Sequence, residues 1–248
     1  MTPDCSLHNL LIGFDQKSPP DREEDVRIVT AEKSSLDQAG VRFIADRLAR
    51  PNAGSAILGL PGGRSVSGIL DGLVKAPIDW PRVHIFLADE RKVPVTDPES
   101  NYREILEHLA EPLSSTGRMP AANVHPCVAG APEYSAEFGA TGNHFDVLVL
   151  GVGEDGHIAS LFPGRIGATE DPGFFIDVEN SPKPPPRRVS ASQRLIQGSS
   201  SIVLLFIGAG KKEALRLFRD PSVPASDCPA KLTTVCTDLL VLTDQEIS

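Results

Sequence analysis

Residues 145–164 read FDVLVLGVGEDGHIASLFPG, and the fold follows from how this stretch is parsed. Phe145, Val147, Leu148, Val149 and Leu150 form an apolar run of strand length, broken only by Asp146. A run without alternation suits a strand buried on both faces of a parallel sheet. It ends in Gly151-Val152-Gly153-Glu154-Asp155-Gly156-His157, where the glycines open backbone torsions closed to other residues and let a ligand approach the main chain. Such a turn after a strand places a ligand site at the C-terminal end of an open α/β sheet. His157 is there a candidate proton acceptor near neutral pH, and Asp155 a candidate partner that orients and stabilises its ring. The plain structural alternative is a strand-to-helix turn whose histidine caps the next helix.

Working outward, comparable apolar runs occupy residues 55–60, 83–87 and 201–207, with a shorter first strand at 26–29 and a closing strand at 234–242. Between 32 and 50 the positions Leu36, Ala39, Gly40, Phe43, Ile44 and Leu48 recur at helical spacing, with Pro51 just beyond. Further helices are expected at 66–73, 102–109, 132–139, 191–196 and 211–218, with Ser100 or Asn101 capping the second of these. Residues 112–130 read as a connecting region, 174–178 as a strand and 221–229 as a loop. Buried strands alternating with helices predict an α/β fold with a mostly parallel sheet between helical layers.

Four loops add anion chemistry to this frame. Pro61-Gly62-Gly63-Arg64-Ser65 joins a strand to a helix start, where free backbone N–H groups suit a phosphate; it lacks the nucleotide P-loop spacing, and alone it is equally a simple turn. Asp89-Glu90-Arg91 follows the third strand, and an inward Arg91 would offer its planar fork to phosphate oxygens; Asp89 or Glu90 pairing with a surface lysine is the ordinary reading. Residues 181–186, SPKPPP, resemble a short SH3 ligand but read better as a stiff approach delivering Arg187-Arg188-Val189-Ser190. Lys211 stands at a helix start, a place disfavoured for cations by the helix dipole unless an anion binds.

The 248 residues suffice for one large domain, and 40% hydrophobic with 23% charged residues is ordinary for a globular chain. A net charge of −9 without a long basic run argues against nucleic acid. Cys5, Cys127, Cys228 and Cys236 form no CxxC pair and no zinc spacing, so a reduced cytoplasmic compartment and a metal-free site are expected. Residues 1–25 read as a loose polar leader without a secretory signal, and 26–248 as one domain; no run is long enough to span a bilayer.

GVGEDGHIASLFPG, together with the blocks at 87–101 and 184–190, resembles the 6-phosphogluconolactonases, a branch of the group that also contains the glucosamine-6-phosphate deaminases. The likeness runs from residue 26 to the end. The deaminases share the glycine, Asp-Gly-His part but continue differently after His157. The resemblance implies a Rossmann-like three-layer α/β/α fold and hydrolysis of 6-phosphogluconolactone to 6-phosphogluconate. His157 would be the base that activates water, Asp155 its partner, and nearby turn N–H groups an oxyanion site. Gly62, Gly63, Arg64, Ser65, Arg91, Arg188 and Lys211 fall at its substrate-binding places, and Ser160 is given a helix role. It also implies no cofactor, despite the GxGxxG spacing of GVGEDG, and a monomer or small homo-oligomer acting on a sugar-phosphate lactone away from nucleic acid and membranes. Many relatives carry Ser-Gly-Gly-Ser-Thr where this chain has Pro61-Gly62-Gly63-Arg64-Ser65, which exchanges a hydroxyl for a cation. The rival readings are an amino-sugar-phosphate deaminase/isomerase, which needs a further acid/base, and a noncatalytic sugar-phosphate sensor.

Overall fold

The apolar runs build the centre of the structure, a computed structural model that describes residues 26–50, 54–165 and 173–246. The expected leader, residues 1–25, lies outside the described residues. The strands are, in chain order, β1 (Val26–Thr30), β2 (Ala56–Leu60), β3 (Val83–Leu87), β4 (Asp89–Arg91), β5 (Val124–His125), β6 (Val147–Gly151), β7 (Phe175–Val178), β8 (Arg188–Ala191), β9 (Ile202–Phe206) and β10 (Leu239–Thr243). Seven form one sheet in the order β1-β10-β9-β6-β2-β3-β5, and every pairing in it is parallel. β2, β9 and β10 are buried at every position, because helices cover both faces and leave no side to water. Asp146 fits this setting because its carboxylate accepts the Ile57 N–H at 2.7 Å while its own N–H bonds the Ile57 carbonyl.

Helices α1 (Lys33–Leu48), α2 (Ser67–Lys75), α5 (Ala131–Thr141), α6 (Gln193–Gln197) and α7 (Lys212–Arg219) flank the sheet in a three-layer α/β/α arrangement, with the short α3 (Asn101–Ile105) and α4 (Glu111–Ser114) between them. α1 buries Leu36, Gly40, Phe43, Ile44 and Leu48, the spacing expected of it. Ser100 caps α3 by accepting the Arg103 N–H at 3.3 Å. Helix continues past the expected stop at 109: a π-type turn, Leu106–Ala110, links α3 to α4, and Pro112 sits in the first turn of α4. A proline lacks the N–H an α-helix would use, and the changed winding before it removes that conflict. The closing strand begins at Leu239 and not at 234, because residues 229–235 wind into a 3-10 turn whose Leu232 and Thr233 are buried.

The larger correction is β4. Asp89-Glu90-Arg91 is a strand, paired antiparallel with β8, and β8 pairs with β7 to make a second, three-stranded sheet. Its pattern is too short to read as a strand locally; the distant β8 supplies the partner.

The topology also places the ligand site. β2 is followed by β3 toward one edge, whereas β6, its neighbour, is followed by β9 toward the other. Loops diverging from adjacent strands leave a crevice at their C-terminal ends.

Candidate active site

That crevice is a cleft of about 520 Å³. The loops after β2, β6 and β9 meet there with the start of β4, residue 183 and the start of β8. Gly62, Gly63, Arg64, Ser65, Arg91, His157, Arg188 and Lys211 all line it, while Asp155 stands behind His157. Sequence reasoning thus drew these residues from separate loops, and the tertiary structure brings them together.

His157 is held by its own turn. Its Nδ1 lies 2.5 Å from Asp155 Oδ1, which leaves Nε2 as the nitrogen free to take a proton. Burial pushes the Asp155 carboxyl up, but the His157 hydrogen bond and the charge of Lys183 outweigh it and hold the group well below the usual carboxylate range. Phe162 packs against the imidazole with ring centroids 4.6 Å apart. Gly153 has a steric reason: a Cβ there would lie 1.9 Å from His157 Nδ1, so the ring occupies the space a side chain would need. Gly156 takes φ +83°, which closes the turn. No helix follows directly: residues 157–161 form isolated bridges and turns, so the helix-cap alternative for His157 and the helix role given to Ser160 both fail. Ser160 instead donates its hydroxyl to Asp89 Oδ2 at 2.6 Å and its N–H to Ser190 Oγ at 3.1 Å, tying the turn to the second sheet.

Four N–H groups of the turn, those of both later glycines among them, are occupied. Val152 N–H bonds the Leu205 carbonyl, Gly153 N–H the His157 carbonyl at 2.8 Å and Gly156 N–H the Gly153 carbonyl at 3.0 Å; His157 N–H reaches Asp155 Oδ1 at 3.4 Å. The turn closes on itself through the N–H groups of Gly153, Gly156 and His157 and is tied to β9 through that of Val152, so the same bonds that shape it remove these groups from a ligand. Likewise Gly63 N–H, expected free for phosphate, donates to Glu104 Oε2 at 2.5 Å.

The cations differ in freedom. β4 and β8 pair in a register that sets Asp89 opposite Ser190 and Arg91 opposite Arg188. Arg188 is buried; its Nε donates to the Pro185 carbonyl and its Nη2 to the carbonyls of Lys183 and Pro184, while Nη1 reaches Ser160 Oγ at 3.4 Å and stands 3.8 Å from Asp89 Oδ2. Burial pushes its pKa down against the pull of Asp89. Arg91 Nη1 donates to the Glu99 carbonyl at 2.5 Å, and its Nε is buried without a partner among the described residues. Arg64 is exposed and makes no side-chain hydrogen bond or ion pair among the described residues. Lys211 is half-buried; burial pushes its ammonium down, opposed by Glu154. Arg187, delivered by the same segment as Arg188, turns outward to Glu179.

Three participants escaped sequence reasoning. Asn101 gives Nδ2 to the Asp89 carbonyl and carboxylate, and a Cβ on Gly62 would meet its Oδ1 at 2.2 Å, so Gly62 admits it to the cleft wall. Glu90 does not pair with a surface lysine: it is buried and accepts the N–H groups of Arg91, Asn101 and Tyr102 and the Ser100 hydroxyl, and burial still raises its pKa. Lys183 lines the cleft with Nζ 3.6 Å from Asp155 Oδ1. Its signal was a lone lysine inside a stiff proline segment. Among the described residues no three His, Cys, Asp or Glu side chains converge as a metal set.

With a histidine and a cluster of cations lining one cleft, the site holds the kinds of group that activate water beside a bound anion. Residues 31–241 match the family model described as glucosamine-6-phosphate isomerases/6-phosphogluconolactonase. The chain is 36% identical over 194 residues to the 6-phosphogluconolactonase of Borreliella burgdorferi, which covers 75% of this chain and 83% of that one. The crystal structure of 6-phosphogluconolactonase from Thermotoga maritima superposes with TM-score 0.73 at 24% identity, covering 88% of this chain and 98% of that one. A monomeric glucosamine-6-phosphate deaminase superposes equally well, TM-score 0.74 at 19% identity over 90% of this chain and 98% of that one, so the fold by itself does not choose between the two chemistries.

Proposed function

The chain belongs to the family of the glucosamine-6-phosphate isomerases and 6-phosphogluconolactonases, and we propose that within it this protein hydrolyses 6-phospho-D-glucono-1,5-lactone to 6-phospho-D-gluconate, a step of the oxidative pentose phosphate pathway. The observation that carries the reading is the Asp155–His157 pair at the cation-lined cleft. His157 Nε2 takes a proton from the water that attacks the lactone carbonyl, and Asp155 orients the ring and stabilises its charged form. Arg64 and Lys211, the least committed cations of the cleft, hold the phosphate; Arg91 contributes its remaining N–H groups. The bonds of Arg188 to four neighbouring groups support a scaffolding role for it in place of direct phosphate contact. Lactones hydrolyse slowly in water unaided, so one positioned base supplies much of the acceleration needed.

One domain over residues 26–248 is part of this proposal, supported by a sheet whose edge strand β1 pairs with the last strand β10. No helix among the described residues is long and apolar enough to cross a membrane, and a cytoplasmic monomer or small homo-oligomer is the reading we adopt. The test is lactonase activity of wild type and His157→Ala, corrected for spontaneous hydrolysis, beside an assay of ammonia release from glucosamine 6-phosphate. Ammonia release without lactonase activity would replace this function with the deaminase reading.

A further inference from the structure

Ester hydrolysis places negative charge on the carbonyl oxygen as water adds to carbon 1, and that charge needs a donor close to the base. The turn carrying His157 does not offer the N–H groups of Val152, Gly153, Gly156 or His157, since each is bonded within the protein. Arg188 has turned its guanidinium to the carbonyls of 183, 184 and 185, and Arg91 is tied to the Glu99 carbonyl. Lys183 is different. Its Nζ lies 3.6 Å from Asp155 Oδ1, the same oxygen that holds His157 Nδ1 at 2.5 Å, so the ammonium and the imidazole flank one carboxylate oxygen. At that distance it has an ion-pair partner but makes no side-chain hydrogen bond among the described residues, and all its N–H groups remain to be given.

The backbone beneath it is fixed. Ser181 N–H bonds the Pro186 carbonyl at 2.8 Å, Ser181 Oγ donates to the Lys183 carbonyl at 2.8 Å, and the Lys183 N–H returns to Ser181 Oγ at 3.2 Å. Arg188 grips the same strap from inside the protein through three carbonyls. A half-exposed side chain on a pinned backbone can sweep the cleft wall while its root stays in place.

We infer that Lys183 is a catalytic residue of the lactone end of the cleft, its Nζ donating a hydrogen bond to the carbonyl oxygen as the tetrahedral intermediate forms. This rests on the lactonase reading above. The water oxygen bonds to carbon 1 and its proton passes to His157 Nε2; the carbonyl electron pair moves onto oxygen, where Lys183 stabilises it. The pair then returns as the bond from carbon 1 to the ring oxygen breaks, and the imidazolium gives its proton to that oxygen. Lys183 keeps its protons throughout, so its contribution is charge and direction. Arg188, through the strap, is a positioning residue for it.

The experiment is steady-state kinetics of the full chain on 6-phosphogluconolactone and on unphosphorylated gluconolactone. Lys183→Met, which keeps the length and loses the charge, lowers kcat about 10²-fold on both lactones while KM for the phosphorylated one stays within about threefold. Lys183→Arg recovers at least about a tenth of the wild-type kcat, since a donor and a charge return. The Lys183→Met, Asp155→Asn double variant is at least about tenfold slower than Asp155→Asn alone, though it loses less than the product of the two single losses because the side chains form an ion pair. An unchanged kcat overturns the inference. So does a rise in KM confined to the phosphorylated lactone, which makes Lys183 a phosphate ligand, and so does a double variant no worse than Asp155→Asn, which makes it only a counter-ion of Asp155. In each of these cases an active wild type leaves the lactonase function standing; an inactive wild type removes both.

Discussion

Two regions of the cleft are built by opposite means. The turn of residues 151–157 is local: the histidine proposed as base, the carboxylate that holds its ring and the glycines that make room for them lie within seven consecutive residues. The β4–β8 ribbon draws Asp89, Arg91, Arg188 and Ser190 from segments almost a hundred residues apart and sets them in register by strand pairing. Each region has a buried or half-buried carboxylate, yet their tasks differ. Asp155 makes its one short side-chain contact with the imidazole two residues on, with Lys183 farther off at 3.6 Å, whereas Asp89 accepts from Ser160 and Asn101 and faces Arg188, so it joins three loops. The difference teaches that one kind of charged side chain can be a reagent where its partner is local and a rivet where its partners are distant.

The comparison breaks first at His157. His157→Ala lowers kcat about 10²–10⁴-fold with little change in KM and little change in melting temperature, and Asp155→Asn loses the same or less. Lactonase assays with a melting curve check this; a large stability loss would mean the turn is also a rivet. On the ribbon the opposite is expected. Asp89→Ala leaves Arg188 buried without its carboxylate and the Ser160 hydroxyl without its acceptor, while Asn101 keeps the main-chain carbonyl of residue 89, at a cost of about 3 kcal/mol in denaturant unfolding. A variant as stable as wild type would show that the carbonyls around Arg188 suffice to hold it.

Gly153→Ala sharpens the local side of the comparison. The added methyl displaces the imidazole by its contact at 1.9 Å, so kcat drops about 10²-fold while the protein remains folded. Near-normal activity would mean that the ring is catalytically competent elsewhere in the cleft. An ion pair outside both regions supplies a scale. Asp238, held by two hydrogen bonds from Arg47 and one from Ser201, has its carboxyl pushed down to about 2. Its folded pKa lies below the unfolded one, so its contribution is present above about pH 4 and is lost as the pH falls toward 2. Asp238→Asn therefore costs about 2 kcal/mol at pH 7, and the gap from wild type closes on acidification through that window. Urea unfolding at pH 7 and pH 3 measures it; a gap independent of pH would assign the loss to packing.

The smallest effect concerns phosphate. Arg64→Ala raises KM for the phosphorylated lactone about tenfold, alters kcat less and barely affects the unphosphorylated one. Arg91→Ala, with part of its guanidinium already tied to Glu99, has a milder effect on KM. The reverse order would place the phosphate against the ribbon and not against the loop after β2.

The sequence by itself determined the parallel sheet, since β2, β6 and β9 read as apolar runs whose burial needs no knowledge of neighbours. It also determined the His157 turn, because an Asp-Gly-His triplet closes its own hydrogen bonds over a few residues. The cations were legible as residues but not as roles. Nothing local in Arg188 shows that its donors meet three carbonyls of the strap, and nothing local in Glu90 shows that it anchors the start of α3. Ser160 looked helical until a hydroxyl acceptor seventy-one positions away claimed it. Only the tertiary structure decided these, for one physical reason. A buried polar group must find its partner wherever the fold brings one within hydrogen-bond reach, and that partner is set by strand register and loop path, which no short stretch of chain contains.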